Sequence, residues 1–195
     1  MIELTKGVKN ILIANVICFA LTYLIFNFQI PGLENLVLYS YKSEHFQFHQ
    51  LISYMFLHSS VLHIVFNMIG LIVFGPDIEK RFGTTNFIKI YLLMGVVAGL
   101  FNMFLIPNPV LGASGAVWGL MMIYALFNPN TVLYIYFIIP AKVKYIIGVF
   151  FTIELYMALM GSNDGVSHVA HVGGALTGLL IYLLSRKYPL LIRTK

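Results

Sequence analysis

The chain carries very little charge, and this scarcity excludes most soluble architectures. Only 10% of its 195 residues are Asp, Glu, Lys or Arg, whereas 59% are hydrophobic, and the mean hydropathy is +0.88. A soluble domain has roughly a quarter of its residues charged. Repeated apolar stretches, each close to the ~20 residues that cross a bilayer, therefore predict an all-α, polytopic membrane protein.

Cysteine is almost absent too. Cys18 is the single thiol, which excludes an intramolecular disulfide and a cysteine-based metal or redox site. The net charge is +5, but the basic residues lie at the ends of apolar stretches and form no patch with interleaved aromatics. We therefore expect a lipid bilayer around the protein and no nucleic-acid partner.

Six membrane spans in one domain, residues 1–195, fit the apolar stretches. We predict them at about 10–28, 58–75, 87–106, 114–128, 143–160 and 168–184. Gly75 and Pro76 predict the end of the second span, followed by a charged turn over residues 77–83. Residues 29–57 are too polar to span and predict an interfacial, partly helical segment, and residues 131–139 predict a hydrophobic surface loop.

The distribution of lysine and arginine predicts the orientation of these spans. With both termini in the cytoplasm, every basic residue except Lys42 lies on the cytoplasmic side, as the positive-inside rule requires. The chain is then expected in a bacterial inner membrane. The second, fourth and sixth spans begin near the outer face, and the polar residues at their starts share one leaflet.

A serine and a histidine inside apolar stretches need an explanation, because polar groups in a membrane cost free energy. Ser114 stands in Gly112-Ala113-Ser114-Gly115, and His171 begins the last apolar stretch. A nucleophilic serine with a histidine as general base is one explanation. A small-residue packing patch beside a satisfied interfacial histidine is the other. Glycines spaced four apart favour close packing of the two spans: Gly115, Gly119, Gly174 and Gly178.

Further polar and aromatic residues favour the catalytic explanation. His63 and Asn67 share one helix face, and Asn67 brings an amide donor of the kind that stabilises an oxyanion. The alternative for this pair is a structural polar network between helices. Trp118 lies one helical turn after Ser114, where it contacts the imidazole or serves as an interfacial anchor or packing residue.

The ordered set of motifs resembles the rhomboid intramembrane serine proteases. The motifs are His58-x4-His63-x3-Asn67, Glu79-x-Arg81-x-Gly83, Gly112-x-Ser114-Gly115 and Ala170-His171-x2-Gly174. The resemblance implies a six-helix bundle of the minimal bacterial type, with a Ser114–His171 dyad supported by Gly112 and Gly115. It also implies an oxyanion hole from His63, Asn67 and the Ser114 N–H, with Trp118 where the family usually has a tyrosine beside the histidine.

The same resemblance implies the reaction. It implies cleavage of single-span membrane proteins near the outer face through an acyl-enzyme, with no metal and no cofactor. One departure is His49-Gln50, where many members carry Trp-Arg in the first loop. Rival interpretations are a rhomboid-like protein that binds transmembrane clients without cutting them, and a small transporter. The oligomeric state is left open.

Several polar residues stay without a settled role at this stage. Glu154 is an acid within the fifth span, either protonated or paired with a hydroxyl. We predict no acidic partner for His171 and interpret Asp164 as a solvated loop residue. His58 and His168 are expected to support the site or anchor loops. Asn102 holds water near the serine or packs helices, and Glu79 and Arg81 form a helix-end network.

Overall fold

The computed structural model describes residues 3–27, 32–135, 138–162 and 164–188. Its α-helices are α1 (Lys6–Asn27), α2 (Gln50–Ser53), α3 (Val61–Phe82), α4 (Thr84–Leu105), α5 (Ser114–Phe127), α6 (Val143–Met160) and α7 (His168–Lys187). Two short 3₁₀ turns cover Leu33–Leu36 and Tyr54–Phe56, and two strands are β1 (Val132–Ile135) and β2 (Ile139–Lys142).

Length and composition identify the helices that can cross a bilayer. Within the described residues, α3, α4, α6 and α7 are long and apolar enough to do so, and α5 is a shorter apolar helix of 14 residues. The helix α1 has 22 residues. The predicted polytopic helical membrane fold is therefore confirmed.

The end predicted for the second span is wrong. The helix α3 continues through Gly75 and Pro76 as far as Phe82, and the residues predicted as a charged turn form its last turns. Phe74, Ile78 and Phe82 are all buried and lie four residues apart on the inward face. Their packing outweighs the hydrogen bond that a proline removes from a helix. Gly83, with φ of 75°, ends the helix instead.

A small β-ribbon replaces the surface loop that we predicted over residues 131–139. The strands β1 and β2 pair antiparallel, with Val132 opposite Lys142 and Tyr134 opposite Pro140. The β-branched and aromatic side chains of β1 favour an extended chain, and Leu133 packs against the core. Within the described residues, this two-stranded sheet accompanies the predicted helical fold.

The helices α5 and α7 approach each other backbone to backbone. A Cβ built on Gly174 would lie 1.9 Å from the carbonyl oxygen of Gly115, and one on Gly178 would lie 2.4 Å from that of Gly119. No side chain fits between these helices at either level. The glycine spacing thus brings the first turns of α5 and α7, with Ser114 and His171, into contact.

Glu79 joins the far end of the bundle, as a helix-end network was predicted to do. Its carboxylate accepts hydrogen bonds from the backbone N–H groups of Gly7 (2.7 Å) and Val8 (2.9 Å) and from the hydroxyls of Thr5 and Thr84. It therefore caps the first turn of α1, where orphan N–H groups and the helix dipole favour an anion. Arg81 separately contacts Asp77 and Asn128.

Candidate active site

Ser114 and His171 meet at the beginnings of α5 and α7. Ser114 is the first residue of α5, and the Ser167 side chain caps α7 by accepting a hydrogen bond from the backbone N–H of Ala170. The Oγ atom of Ser114 lies 2.8 Å from Nε2 of His171. This separation allows proton transfer from the hydroxyl to the imidazole.

The loop before Ser114 is held by hydrogen bonds to two other loops. Val110 exchanges two backbone hydrogen bonds with Leu38 (2.9 and 3.1 Å), and the N–H of Gly112 donates to the carbonyl of Tyr54 (2.9 Å). The amide of Asn102 donates to the carbonyl of Asn108 and accepts from the Ser167 hydroxyl. Because non-helical backbone in a membrane protein must find such partners, these bonds let Ser114 begin a short helix within the fold.

Asn102 thus has a structural role, because its side chain hydrogen-bonds both to the loop before α5 and to Ser167, the residue that caps α7. The residue is 1% exposed, and its hydrogen bonds support a packing role, while it also borders the cavity that contains Ser114. The sequence signal for this role is an amide near the end of an apolar span.

His63 and Asn67 lie on the wall of the cavity that faces Ser114. The N–H of Ser59 donates to Nδ1 of His63, so the neutral ring carries its proton on Nε2 and can donate from there. The Asn67 amide donates one N–H to the carbonyl of His63 (3.0 Å) and retains a second. Both side chains therefore bring a spare donor to one wall.

Gly112 is required where the chain passes His63. Its φ is 123°, and a Cβ built there would lie 2.7 Å from Nε2 of His63. An L side chain is disfavoured both by this backbone conformation and by the ring. Gly115 is equally confined, because its Cβ would lie 2.4 Å from that of Ala98.

The ring of Trp118 lies beside that of His171. The two ring centroids are 5.7 Å apart with the planes tilted by 31°, which is an offset aromatic contact. The indole therefore packs against the imidazole.

A cavity of about 960 Å³ contains the site. Ser114, His171, His63 and Asn67 contribute to its lining, together with Trp118 and the loops that precede α5 and α7. Its volume is in the range of ligand-binding clefts.

Glu154 supplies the acidic partner for His171 that the sequence analysis does not find. Its Oε2 atom lies 2.9 Å from Nδ1 of His171 and 2.7 Å from Nδ1 of His168. Asp164 is not merely solvated, since its carboxylate lies 3.1 Å from Nε2 of His168. The backbone N–H of Val166, followed by the His168 ring, lowers the pKa of the Asp164 carboxyl.

These contacts fix the tautomer of His171. A carboxylate only accepts hydrogen bonds, so Nδ1 of His171 carries the proton that faces Glu154. The neutral ring then has its lone pair on Nε2, where the Ser114 hydroxyl donates. This is the tautomer that a general base requires.

One group of potential metal ligands occurs within the described residues. Glu154, His168 and His171 each offer a ligand atom, all within 4.8 Å of one another. These are the same atoms that hydrogen-bond to one another, and this accounts for their proximity.

His58 lies beside the site with an uncharged ring. Burial, and secondarily the neighbouring His63, lowers the pKa of His58 to about 4. The two rings meet edge to face with centroids 5.0 Å apart. Neither ring nitrogen of His58 has a hydrogen-bond partner among the described residues, so its contribution is to pack against His63.

Comparison with known proteins identifies the family of the chain. The rhomboid domain family matches residues 45–188, which is most of the chain and contains every residue of the site described above. The chain belongs to the rhomboid family. Rhomboid proteins include intramembrane serine proteases that act on transmembrane substrates, and this rhomboid is an integral membrane protein by its apolar helices.

Several named rhomboid relatives match the chain. RHOMBOID-like protein 12, mitochondrial, of Arabidopsis thaliana is 31% identical over 160 residues, covering 71% of this chain and 47% of that protein. RHOMBOID-like protein 6, mitochondrial, of the same plant is 33% identical, with 72% and 44% covered. Rhomboid protease AarA of Providencia stuartii is 29% identical, with 65% and 52% covered. The chain spans about half the length of these relatives.

Proposed function

We propose that this rhomboid is an intramembrane serine endopeptidase that cleaves transmembrane segments of single-span membrane proteins. The observation that carries the proposal is the 2.8 Å contact between Ser114 Oγ and His171 Nε2 inside a cavity of about 960 Å³. A serine hydroxyl is a weak nucleophile until a base receives its proton. A base at this distance on the correct tautomer provides that activation.

The reaction proceeds in two halves. His171 Nε2 takes the Ser114 proton as Oγ bonds to the scissile carbonyl carbon, and the carbonyl oxygen becomes an oxyanion. His63, Asn67 and the Ser114 N–H donate to that oxyanion. His171 then gives its proton to the leaving amine, which leaves an acyl-enzyme, and a water activated by the same base releases the acid and restores Ser114.

The substrate must present an extended segment. Helical hydrogen bonding shields a peptide carbonyl in an intact transmembrane helix, so the helix has to unwind before Ser114 can attack. Substrates with Gly or Pro near the cut and a small residue before it meet this requirement at least cost. The cut lies near the outer face, because the positive-inside distribution puts the beginnings of α5 and α7 there.

The same charge distribution supports the proposed orientation, in which both termini lie in the cytoplasm. A bacterial inner membrane is the cellular setting that we propose for it. The rhomboid relatives include mitochondrial and chloroplastic proteins, so fractionation of the source cells is the direct test of this setting.

A serine-reactive fluorophosphonate probe tests the proposed activity. Wild-type protein in detergent is expected to label, and Ser114→Ala and His171→Ala are expected not to label although they fold. Cleavage of a reporter with a Gly-containing transmembrane segment follows the same pattern. Absence of both labelling and cleavage in folded wild type would instead support a rhomboid-like protein that binds transmembrane clients without cutting them.

A further inference from the structure

The intramembrane acid on α6 contacts the residue that the proposed reaction uses as its base. Glu154 approaches His171 through Nδ1, on the opposite side of the ring from Ser114. Its side chain is 15% exposed and that of His171 is 10% exposed. A carboxylate that is this well shielded in a membrane protein is costly unless its charge is compensated.

The compensation comes from His168. Its Nδ1 faces Glu154 and its Nε2 faces Asp164, and each nitrogen must carry a proton to hydrogen-bond to a carboxylate. The ring is therefore the imidazolium. With Glu154 and Asp164 ionised and His171 neutral, this four-residue cluster has a net charge of minus one.

Proton transfer in the proposed reaction changes that charge. When His171 takes the proton from Ser114 it becomes cationic, and the cluster becomes neutral. In a site of low dielectric, the carboxylate stabilises the imidazolium far more than it would in water. The orientation of the ring is also fixed, because Nδ1–H has one acceptor.

We propose that Glu154 is a positioning residue that completes a Ser114–His171–Glu154 triad, with His168 and Asp164 holding its carboxylate in place. The inference rests on the proposed protease function. It assigns to α6, whose described side chains are mostly exposed, a direct part in the site. The acid orients His171 and stabilises its protonated form, and it does not touch the substrate.

The competing interpretation is a purely structural tether. Of the described residues of α6 only Val143 and Ile147 are classed as buried, so the contact between Glu154 and His168 helps to attach this helix to α7. A tether would act through the stability of the fold. It would not alter the pH at which His171 becomes protonated.

The pH dependence of fluorophosphonate labelling separates the two. The ionisable groups that face His171 are Glu154 on α6, His168 on its own helix and His63 on α3, with Asp164 behind His168. Labelling rates of wild type, Glu154→Gln and His168→Gln are measured from about pH 5 to about pH 9, the range in which a histidine base titrates, and melting temperatures are recorded in parallel.

We expect Glu154→Gln to label about 100-fold more slowly or worse, because a neutral amide cannot stabilise the imidazolium. The acid limb of its profile, which is the pH range in which the labelling rate falls on acidification, should move to lower pH. The reason is that His171 without the carboxylate protonates less readily. His168→Gln removes a positive charge, so its acid limb should move to higher pH. Glu154→Asp keeps the charge and should retain more activity than the Gln variant, and Glu44→Gln, the same change in an exposed loop position, should label like wild type.

Two results would overturn the triad. One is a Glu154→Gln protein that labels at the wild-type rate. The other is a slower variant whose acid limb stays at the wild-type pH, since that is the behaviour of a tether. Should Glu154→Gln fail to fold, the movement of the His168→Gln labelling profile to higher pH decides the same question, because a tether would leave that profile at the wild-type pH. Absence of labelling in wild type would refute the proposed protease itself, which is a different outcome from normal labelling in the Gln variant.

Discussion

The contact between α5 and α7 should be intolerant of a single methyl group. A Cβ on Gly174 would lie 1.9 Å from the carbonyl oxygen of Gly115 and 2.7 Å from its carbonyl carbon. Both neighbours are backbone atoms, so no side chain can rotate away. Ordinary contact begins near 3.4 Å, so Gly174→Ala requires the two helices to separate by roughly 1.5 Å at this level.

That separation should lengthen the distance between Ser114 and His171. Ser114 precedes Gly115, and His171 lies one helical turn before Gly174, so the displacement is transmitted to the 2.8 Å contact between Oγ and Nε2. A misplacement of about 1 Å costs on the order of 100-fold in rate. Overpacking of a helix interface also costs about 1–3 kcal/mol of stability.

The assay compares the rate of fluorophosphonate labelling with the melting temperature for each variant. Gly148→Ala is the matched control, because nothing lies within 4 Å of a Cβ at this helical position, and alanine there should be neutral or slightly stabilising. Gly174→Ala should label about 100-fold more slowly per folded molecule. Wild-type labelling and an unchanged melting temperature in Gly174→Ala would refute the close approach of α5 and α7.

Three further predictions follow, two about residues beside the site and one about the far end of the bundle. Because burial lowers the pKa of His58 to about 4, the unfolded chain takes up a proton that the folded protein does not, and wild type should lose about 2 kcal/mol of stability between pH 7.5 and pH 5. In thermal unfolding His58→Phe should lack that part of the loss, and an equal acid sensitivity would contradict it. Gly112→Ala should displace the His63 ring and slow labelling on the order of 100-fold, whereas wild-type labelling would show that this ring is not needed. Glu79→Gln should lower stability by about 1–3 kcal/mol while labelling per folded molecule stays normal, and a labelling defect would connect this distant cap to the site.

The sequence predicts those features that depend on local patterns. Glycines four apart in two spans predict a close helix pair, because the absence of Cβ atoms acts directly at the contact. Gly112 and Gly115, which flank Ser114, also act through the absence of a Cβ atom, because each allows a close contact beside the serine. The end of α3 is mispredicted, since the pattern at Gly75 and Pro76 is local whereas the packing that overrides it involves the whole inward face.

The acidic partner of His171 could not be found in this way. Glu154 lies on α6, and its distance to His171 depends on how the loop over residues 161–167 sets α6 against α7. No spacing in the sequence determines that offset. The sequence feature that could have predicted the contact is the chemistry of these residues. An ionisable residue in a span needs a partner, and the His168-x2-His171 pair offers two imidazoles.

In the proposed reaction, the positive and negative charges that form in the transition state are stabilised by different groups on opposite sides of the Ser114–His171 pair. The positive charge that forms on the His171 ring is stabilised by Glu154 at Nδ1, within a cluster of net negative charge. The oxyanion forms on the other side of Ser114, where the first N–H groups of α5 add the positive end of a helix dipole to the donors of His63 and Asn67. Neither stabilisation requires bulk water to reorganise. A serine site can therefore operate inside a bundle of apolar helices, provided that the cavity supplies the single water that hydrolyses the acyl-enzyme.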